Sequence, residues 1–344
     1  MTTAAQEPAL MPRVGHYYKA DHTYQVGREK IREYARAVQD YHPAHWDPEA
    51  VEALGYKSLI APMTFTAIGA MAANRQLLEE VVVGYDTFVQ TEQVFEQHRP
   101  ITVGDELNTD VELSSVRRIA GKDMITITNT FLDVATGETV HTMHTTVVGV
   151  TADEVDPGIT EAVAKVMMHD VDVMSVQEAA AEYVKTVRTE GERTISDFGA
   201  TRTPASRNFD DLSVGDQLPV HHTHLSRGDL VNYAGVAGDA NPIHWDESIA
   251  KLAGLPDVIA HGMLTMGLGI GFISEWTGDP GAVLKYSVRL SAPAIVPADG
   301  RGDIEFSGRI KSLDPETRSG VVILTAKSDG KKIFGMATLH IRFS

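Results

Sequence analysis

Two stretches of the chain, 59–74 and 262–274, carry no charged residue at all. A segment that is apolar on every side belongs inside a protein, so each predicts a buried helix. Gly267, Gly269 and Gly271 are poor helix formers, and they make sense where a helix is pressed against other backbone. Behind each apolar stretch come segments rich in Val, Ile, Thr and Phe, separated by Gly, Asp or Pro. The first set predicts strands over 87–95, 106–116, 124–132 and 139–151, the second over 284–290, 302–311, 320–328 and 332–343. A helix followed by a run of antiparallel strands, occurring twice, gives an α+β chain of two similar units, each a sheet wrapped round a central helix.

The chain also repeats itself residue by residue. Shifted by 199 positions, residues 34–61 lie on 233–260 without a gap, and ten of the 28 positions are identical. Tyr34 and Ala35 match Tyr233 and Ala234. Asp40, Pro43, His45, Trp46 and Asp47 match Asp239, Pro242, His244, Trp245 and Asp246, and Gly55, Ile60 and Ala61 match Gly254, Ile259 and Ala260. Val14 and Gly15 match Val214 and Gly215 once one residue is inserted. Trp, Pro, His and Asp kept in one register identify a duplicated fold. The division that follows is an N-terminal unit at 1–152, a linker at 153–208 and a C-terminal unit at 209–344. The linker begins acidic and carries one helix signal, a capping box from Ser175 to Glu178. Its charges from Lys185 to Arg193 are expected to form a solvated surface.

Composition narrows the function. The 344 residues are 43% hydrophobic and 22% charged, with a net charge of −17. That balance argues against nucleic acid as a partner, since a nucleic-acid binder shows a basic face. Without cysteine, disulfides, thiolate metal sites and Cys nucleophiles are excluded. The N-terminus lacks the pattern of a secretory signal and no run of 18 apolar residues is present, so a cytoplasmic protein with no membrane partner is expected.

One motif carries chemistry. The second repeat reads Gly238-Asp239-Ala240-Asn241-Pro242-Ile243-His244, with His261-Gly262-Met263 downstream. His titrates near neutrality and suits proton transfer, and Pro242 disfavours helix at Asn241, so a rigid non-helical loop is expected to hold the pair. The stretch resembles the signature of the MaoC-like, (R)-specific enoyl-thioester hydratases and dehydratases. The fused arrangement is similar to the joined A and B subunits of actinobacterial (3R)-hydroxyacyl-acyl-carrier-protein dehydratases, and also to the double-hotdog hydratases of β-oxidation. The resemblance implies a double hotdog fold and reversible removal of water from (3R)-hydroxyacyl thioesters, in fatty-acid or mycolic-acid-type elongation or, alternatively, β-oxidation. It implies a substrate carried on acyl carrier protein or coenzyme A, with no metal or cofactor. By resemblance, His244 removes the C2 proton, Asp239 hands a proton to the departing water or orients it, and the Gly262 amide receives the charge on the thioester oxygen. Asn241 is expected to orient the loop or the carboxylate, and Tyr233 to pack beneath it. Two fused units make one pseudo-dimer, and a homodimer of such chains is compatible with it.

The first repeat departs from the pattern. Asp40 and His45 keep the spacing, but Gln39 stands for Gly238, His42 for Asn241, and Pro62-Met63 for His261-Gly262. This degenerate site is expected to be inactive or much weaker, its unit shaping a tunnel for the acyl chain. Other signals are set aside. Gly267, Gly269 and Gly271 form no dinucleotide loop, because Phe272 stands where a third spaced glycine would be needed and no strand leads in. His221, His222 and His224 have no evident carboxylate partner and fit a solvated strand, while His141 and His144 lie on opposite strand faces. A thioesterase and a non-catalytic acyl-binding subunit are the competing functions, and the intact second motif disfavours both.

Overall fold

A computed structural model describes residues 13–20, 22–167, 186–187, 193–195 and 207–344. The N-terminal unit contains β1 (His16–Lys19), β2 (Tyr24–Gln25), α1 (Arg28–Ala37), α2 (Pro48–Ala53) and α3 (Ala67–Gln76). Four long strands follow: β3 (Thr87–Gln97), β4 (Glu106–Ile119), β5 (Lys122–Asp133) and β6 (Thr139–Val150). After α4 (Pro157–Val166) and the short β7 (Thr186–Val187), the C-terminal unit repeats the plan. It comprises β8 (His221–Leu225), α5 (Arg227–Ala237), α6 (Glu247–Leu252), α7 (Gly262–Thr277), β9 (Val283–Leu290), β10 (Gly302–Asp314), β11 (Ser319–Ser328), β12 (Lys331–Lys332) and β13 (Phe334–Arg342).

The strands join into one 13-stranded sheet, eleven of them in the order β7-β1-β4-β5-β6-β3-β9-β13-β11-β10-β8, with β2 paired to β4 and β12 to β11 off that path. The sequence β1-β4-β5-β6-β3 of the first unit is mirrored as β9-β13-β11-β10-β8 in the second, so the duplication seen in the residues is a twofold relation in the sheet. The seam is the antiparallel pair β3–β9, in which Glu92 faces Arg289 and Glu96 faces Lys285, each pair also bonded through its side chains. The alternation that predicted the strands is visible in burial: along β11 every second residue is buried and its neighbours half-covered. Each half of the sheet wraps its apolar helix, and the molecule is a double hotdog. Among the described residues no helix is long and apolar enough to cross a membrane.

The two apolar stretches behave differently. In the second unit α7 runs for 16 residues and buries nearly all of them. In the first, Ile60 bridges Thr102 in extended backbone, Met63–Thr66 form a 3₁₀ turn, and α3 covers only Ala67–Gln76. Pro62 at the N-cap lacks the N–H needed to carry the helix further back. The α7 glycines do mark close packing, chiefly against side chains. A Cβ on Gly267 would come 2.6 Å from Val38 Cγ1, and one on Gly269 2.9 Å from the Tyr286 hydroxyl. Gly271 does meet backbone, with Asp40 Cα 3.3 Å from such a Cβ.

One expectation for the connecting region and one for β8 change. The charges up to Arg193 are not uniformly solvated: Arg193 pairs with Asp110, whose side chain is only 3% exposed. Thr194 and Ile195 continue the contact with the first unit, where the Thr194 carbonyl accepts from Thr139 N. The Ser175–Glu178 capping box and most of the remaining segment lie outside the described residues. His224 has a carboxylate neighbour that the sequence did not reveal, Asp303 on the adjacent β10.

Candidate active site

In each repeat a helix leads into the motif: α1 into the first copy, α5 into the second. Ser226 caps α5 in a capping box with Asp229, and Gly238 ends it in left-handed backbone at φ +79°. The chain then turns through Asp239 into the motif. Asn241 N donates to Asp239 Oδ1 at 3.3 Å, and Asn241 Oδ1 accepts from Ile243 N at 3.2 Å. Asn241 therefore caps a short 3₁₀ turn, Pro242–His244, where the sequence suggested non-helical backbone. Pro242 occupies the first position of that turn, where its missing N–H costs nothing. The Trp245 indole N–H donates to the Ala240 carbonyl at 3.0 Å and closes the loop.

His244 is fixed through one nitrogen. Its Nδ1–H donates to the Ile259 carbonyl at 2.8 Å, which leaves the Nε2 lone pair as the basic position. Burial holds its pKa below the ordinary imidazole value, although Asp239 and the Ile259 carbonyl act in the opposite direction. His261 lies directly against it, with ring centroids 3.8 Å apart and planes 27° from parallel. His261 Nε2–H donates to the Asp239 carbonyl at 3.3 Å, and burial, aided by His244, pushes its pKa down to about 2. Its Nδ1 has no partner among the described residues. Tyr233 packs beneath the group, its ring 4.8 Å from that of His261 and 6.2 Å from that of its repeat mate Tyr34.

Donor atoms of Asp239, His244 and His261 lie within 4.8 Å of one another. Nearly parallel stacked rings send their in-plane lone pairs side by side instead of to one point. The cluster is thus better arranged for proton transfer than for holding a cation.

Gly262 opens α7. His261 at the N-cap provides no side-chain cap, and the Gly262 N–H has no acceptor among the described residues. A free N–H at the positive end of a 16-residue helix is suited to receive negative charge on oxygen. The position is crowded on its Cα side, where an added Cβ would lie 2.9 Å from Leu290 Cδ1 and 3.2 Å from Gln90 Oε1. The structure thus brings together Asp239, His244 and His261, with Gly262 following His261 in the chain, Asn241 capping the motif turn and Tyr233 packed against His261. It adds His261, Ile259 and Gln90, which the sequence reading gave no role. His261 could have been noticed from its place beside Gly262; nothing in the repeat pointed to Gln90.

The first repeat builds the same loop. His42 N donates to Asp40 Oδ1, His42 Nδ1 accepts from Ala44 N, His45 Nδ1 donates to the Ile60 carbonyl, and the Trp46 indole donates to the Asp40 carbonyl. Gln39 even keeps the left-handed backbone of Gly238, at φ +53°. Its side chain ties this turn to β8 of the other unit, accepting from Thr223 Oγ1 and donating to the His224 carbonyl. What differs is access. Asp40 and His45 are 2% and 0% exposed, with Asp40 Oδ2 3.1 Å from His45 Nε2 in an ion contact bent away from hydrogen-bond geometry. Gly271 of α7 lies over Asp40, whereas the residue of α3 in the same repeat position, Ala72, is exposed. The Tyr56 hydroxyl donates to Asp279 Oδ1 at 2.9 Å and holds the end of α7 in place over this first site.

Comparison with known proteins agrees with this layout. Residues 13–143 match a family profile described as FAS1-like, dehydratase domain region, and residues 208–328 one described as MaoC like domain. Over 137 residues the chain is 41% identical to a UPF0336 protein of Saccharopolyspora erythraea, which covers 39% of this chain and 87% of that protein. A solved MaoC-like dehydratase is 67% identical, with 98% of this chain and 100% of the other covered at a TM-score of 0.92. HtdX of Mycobacterium tuberculosis shares the fold at 18% identity, with 95% of this chain and 100% of the other covered at a TM-score of 0.55.

Proposed function

We propose that this chain, which belongs to the MaoC-like dehydratase family, interconverts (3R)-hydroxyacyl and trans-2-enoyl thioesters at the Asp239–His244 site, in fatty-acid or mycolic-acid-type elongation. The observation that supports the reading is that donor atoms of Asp239, His244 and His261 lie within 4.8 Å of one another, with the unpaired first N–H of α7 on the next residue of the chain, Gly262. In dehydration, His244 Nε2 takes the C2 proton, and the negative charge that develops on the thioester oxygen is received by the Gly262 N–H. The C3–O bond breaks, and Asp239 supplies or positions the proton with which hydroxide leaves as water. Proton return from His244 to Asp239 resets the site, and hydration runs the same steps backward. His261, neutral and stacked on His244, holds the imidazole plane and the Asp239 backbone without competing for the proton.

In this reading the C-terminal unit, 209–344, performs the chemistry, the N-terminal unit, 1–152, houses the acyl chain, and 153–208 links them. The apolar crevice that Tyr24, Phe65, Ile68, Leu107 and Phe131 border in the first unit has room for about one water, so an acyl chain enters that unit only where these side chains move apart. The match of that unit to a FAS1-like dehydratase region supports dehydration as the working direction.

The test is hydration of short and long trans-2-enoyl thioesters on coenzyme A and on acyl carrier protein, followed by loss of enoyl absorbance with product chirality read out. A (3R) product is expected. An (S) product, or release of free thiol in place of water addition, defeats the assignment. Gly262→Ala gives a second check. The added methyl forces Leu290 and Gln90 aside and shifts the N–H they flank, so kcat is expected to fall about ten- to a hundredfold, short of the loss of an entire oxyanion donor. Unchanged kcat in this variant would remove the Gly262 N–H from the mechanism.

A further inference from the structure

β3 carries a β-bulge beside the catalytic centre of the other unit. Its pairing with β6 slips between Gln90 and Glu92, leaving Thr91 as the extra residue. Side chains alternate along a strand, so Gln90 and Gln93 would face opposite sides of a regular sheet; the bulge puts both on the inner face. Bulges re-aim side chains in this way beside active sites. Gln90 is thereby delivered to the first turn of α7, its Oε1 3.2 Å from the position of a Cβ on Gly262.

The hydrogen bonds fix which end of the Gln90 amide faces that turn. Gln93 is fully buried, and its Nε2 donates to the Val94 carbonyl at 3.3 Å, an acceptor that cannot reverse. Gln93 Oε1 is then the atom that accepts from Thr145 Oγ1 and from Gln90 Nε2, each at 2.9 Å. Gln90 Nε2 also lies 3.6 Å from the Met263 sulfur. Both donor positions are therefore turned inward, and Gln90 Oε1 is left as an acceptor with no donor among the described residues, on a half-buried side chain that solvent reaches.

We propose that Gln90 is a substrate-binding residue whose Oε1 accepts a hydrogen bond from the amide N–H nearest the thioester sulfur on the carrier arm. The inference rests on the thioester reading above. Acyl carrier protein and coenzyme A present the same arm, in which two methylenes separate the sulfur from an amide nitrogen. Standard bond lengths place that nitrogen roughly 5–6 Å from the thioester oxygen when the arm is extended. They also place Gln90 Oε1 within about 6 Å of the Gly262 nitrogen. A thioester oxygen on the Gly262 N–H and an arm amide on Gln90 Oε1 thus fit one bound conformation. The unit with the closed dyad contributes a recognition group to the open one.

The experiment compares two small trans-2-butenoyl thioesters, one of N-acetylcysteamine, which keeps the amide, and one of pentanethiol, which replaces it with methylenes. The coenzyme A thioester serves as reference. Wild type is expected to prefer the amide substrate in kcat/KM by about 3- to 10-fold, the effect of one hydrogen bond, expressed mainly in KM. Gln90→Met is expected to abolish that preference, lowering kcat/KM for the amide substrate by about 3- to 10-fold more than for the pentyl thioester. Equal losses on both substrates would assign Gln90 a structural role and overturn the proposal, as would a wild type with no preference, a result that requires no variant to fold. If wild type hydrates none of the three thioesters, it is the functional reading itself that fails.

Discussion

Asp239→Asn is expected to lower kcat for enoyl-thioester hydration by about a hundred- to ten-thousandfold, the range for losing a positioned acid–base group, with no change in the denaturation midpoint. The two expectations belong together. The structural work of Asp239 is done by atoms that asparagine keeps: Oδ1, which accepts from Asn241 N, and the backbone carbonyl, which accepts from His261. What asparagine lacks is a proton to exchange. His244→Gln is expected to fall in the same range, because the nitrogen lone pair of a glutamine amide is delocalised into its carbonyl and is not basic enough to take the C2 proton. Stopped-flow or steady-state loss of enoyl absorbance, beside a urea titration of each variant, separates chemistry from folding. Asp239→Asn with turnover within about fivefold of wild type, well short of that range, would move the chemistry elsewhere.

The fold was legible because both of its periodicities are written in the residues. The strands expected at 302–311 and 320–328 lie within Gly302–Asp314 and Ser319–Ser328, and Gly262–Thr277 contains the whole second apolar stretch. Helices α1 and α5 were not read as helices, since neither carries a fully apolar stretch. Thr91 shows a different limit. A bulge is decided by how β3 must pair with β6 and β9 at once, and no local residue pattern announces it, so Gln90 looked like an ordinary strand residue.

For the proposed site, the sequence carried the motif and less of its surroundings. Asp239 and His244 could be named because the duplication repeats their spacing, whereas Asn241 and Gly262, which the first copy replaces with His42 and Met63, were named from the family resemblance. The roles of supporting residues were less legible: Asn241 does its work as a cap, and His261, quoted only as a neighbour of Gly262, stacks on the imidazole. Motif residues also could not separate the two copies fully. Both loops keep most of the same hydrogen bonds, with His42 taking over the capping bond of Asn241 and the indole acceptor moving from Ala240 to Asp40, one position earlier in the repeat. The difference in access comes from α7, a helix that belongs to the other unit and lies far along the chain from Asp40, so it is a tertiary property.

That closure sets the second large effect. Asp40→Ala is expected to destabilise the fold by about 3–5 kcal/mol, the cost of leaving one member of a buried ion pair behind, while kcat per folded molecule stays near wild type. Burial alone pushes Asp40 up and His45 down, but each partner more than offsets this for the other, with the result that Asp40 sits below and His45 above its ordinary pKa. The sign of the pH dependence follows. The contribution of Asp40 is present above its unfolded value near 3.8 and is lost as pH falls through its lower folded value. That of His45 is present below its unfolded value near 6.5 and is lost as pH rises through its higher folded value. The gap in denaturation midpoint between wild type and Asp40→Ala should therefore be widest between those two values and should narrow in alkali. Turnover measured on the same samples decides what the first dyad is for. A loss of kcat as large as that of Asp239→Asn would mean that substrate reaches Asp40 despite Gly271, and that the chain has two working sites where the packing of α7 predicts one.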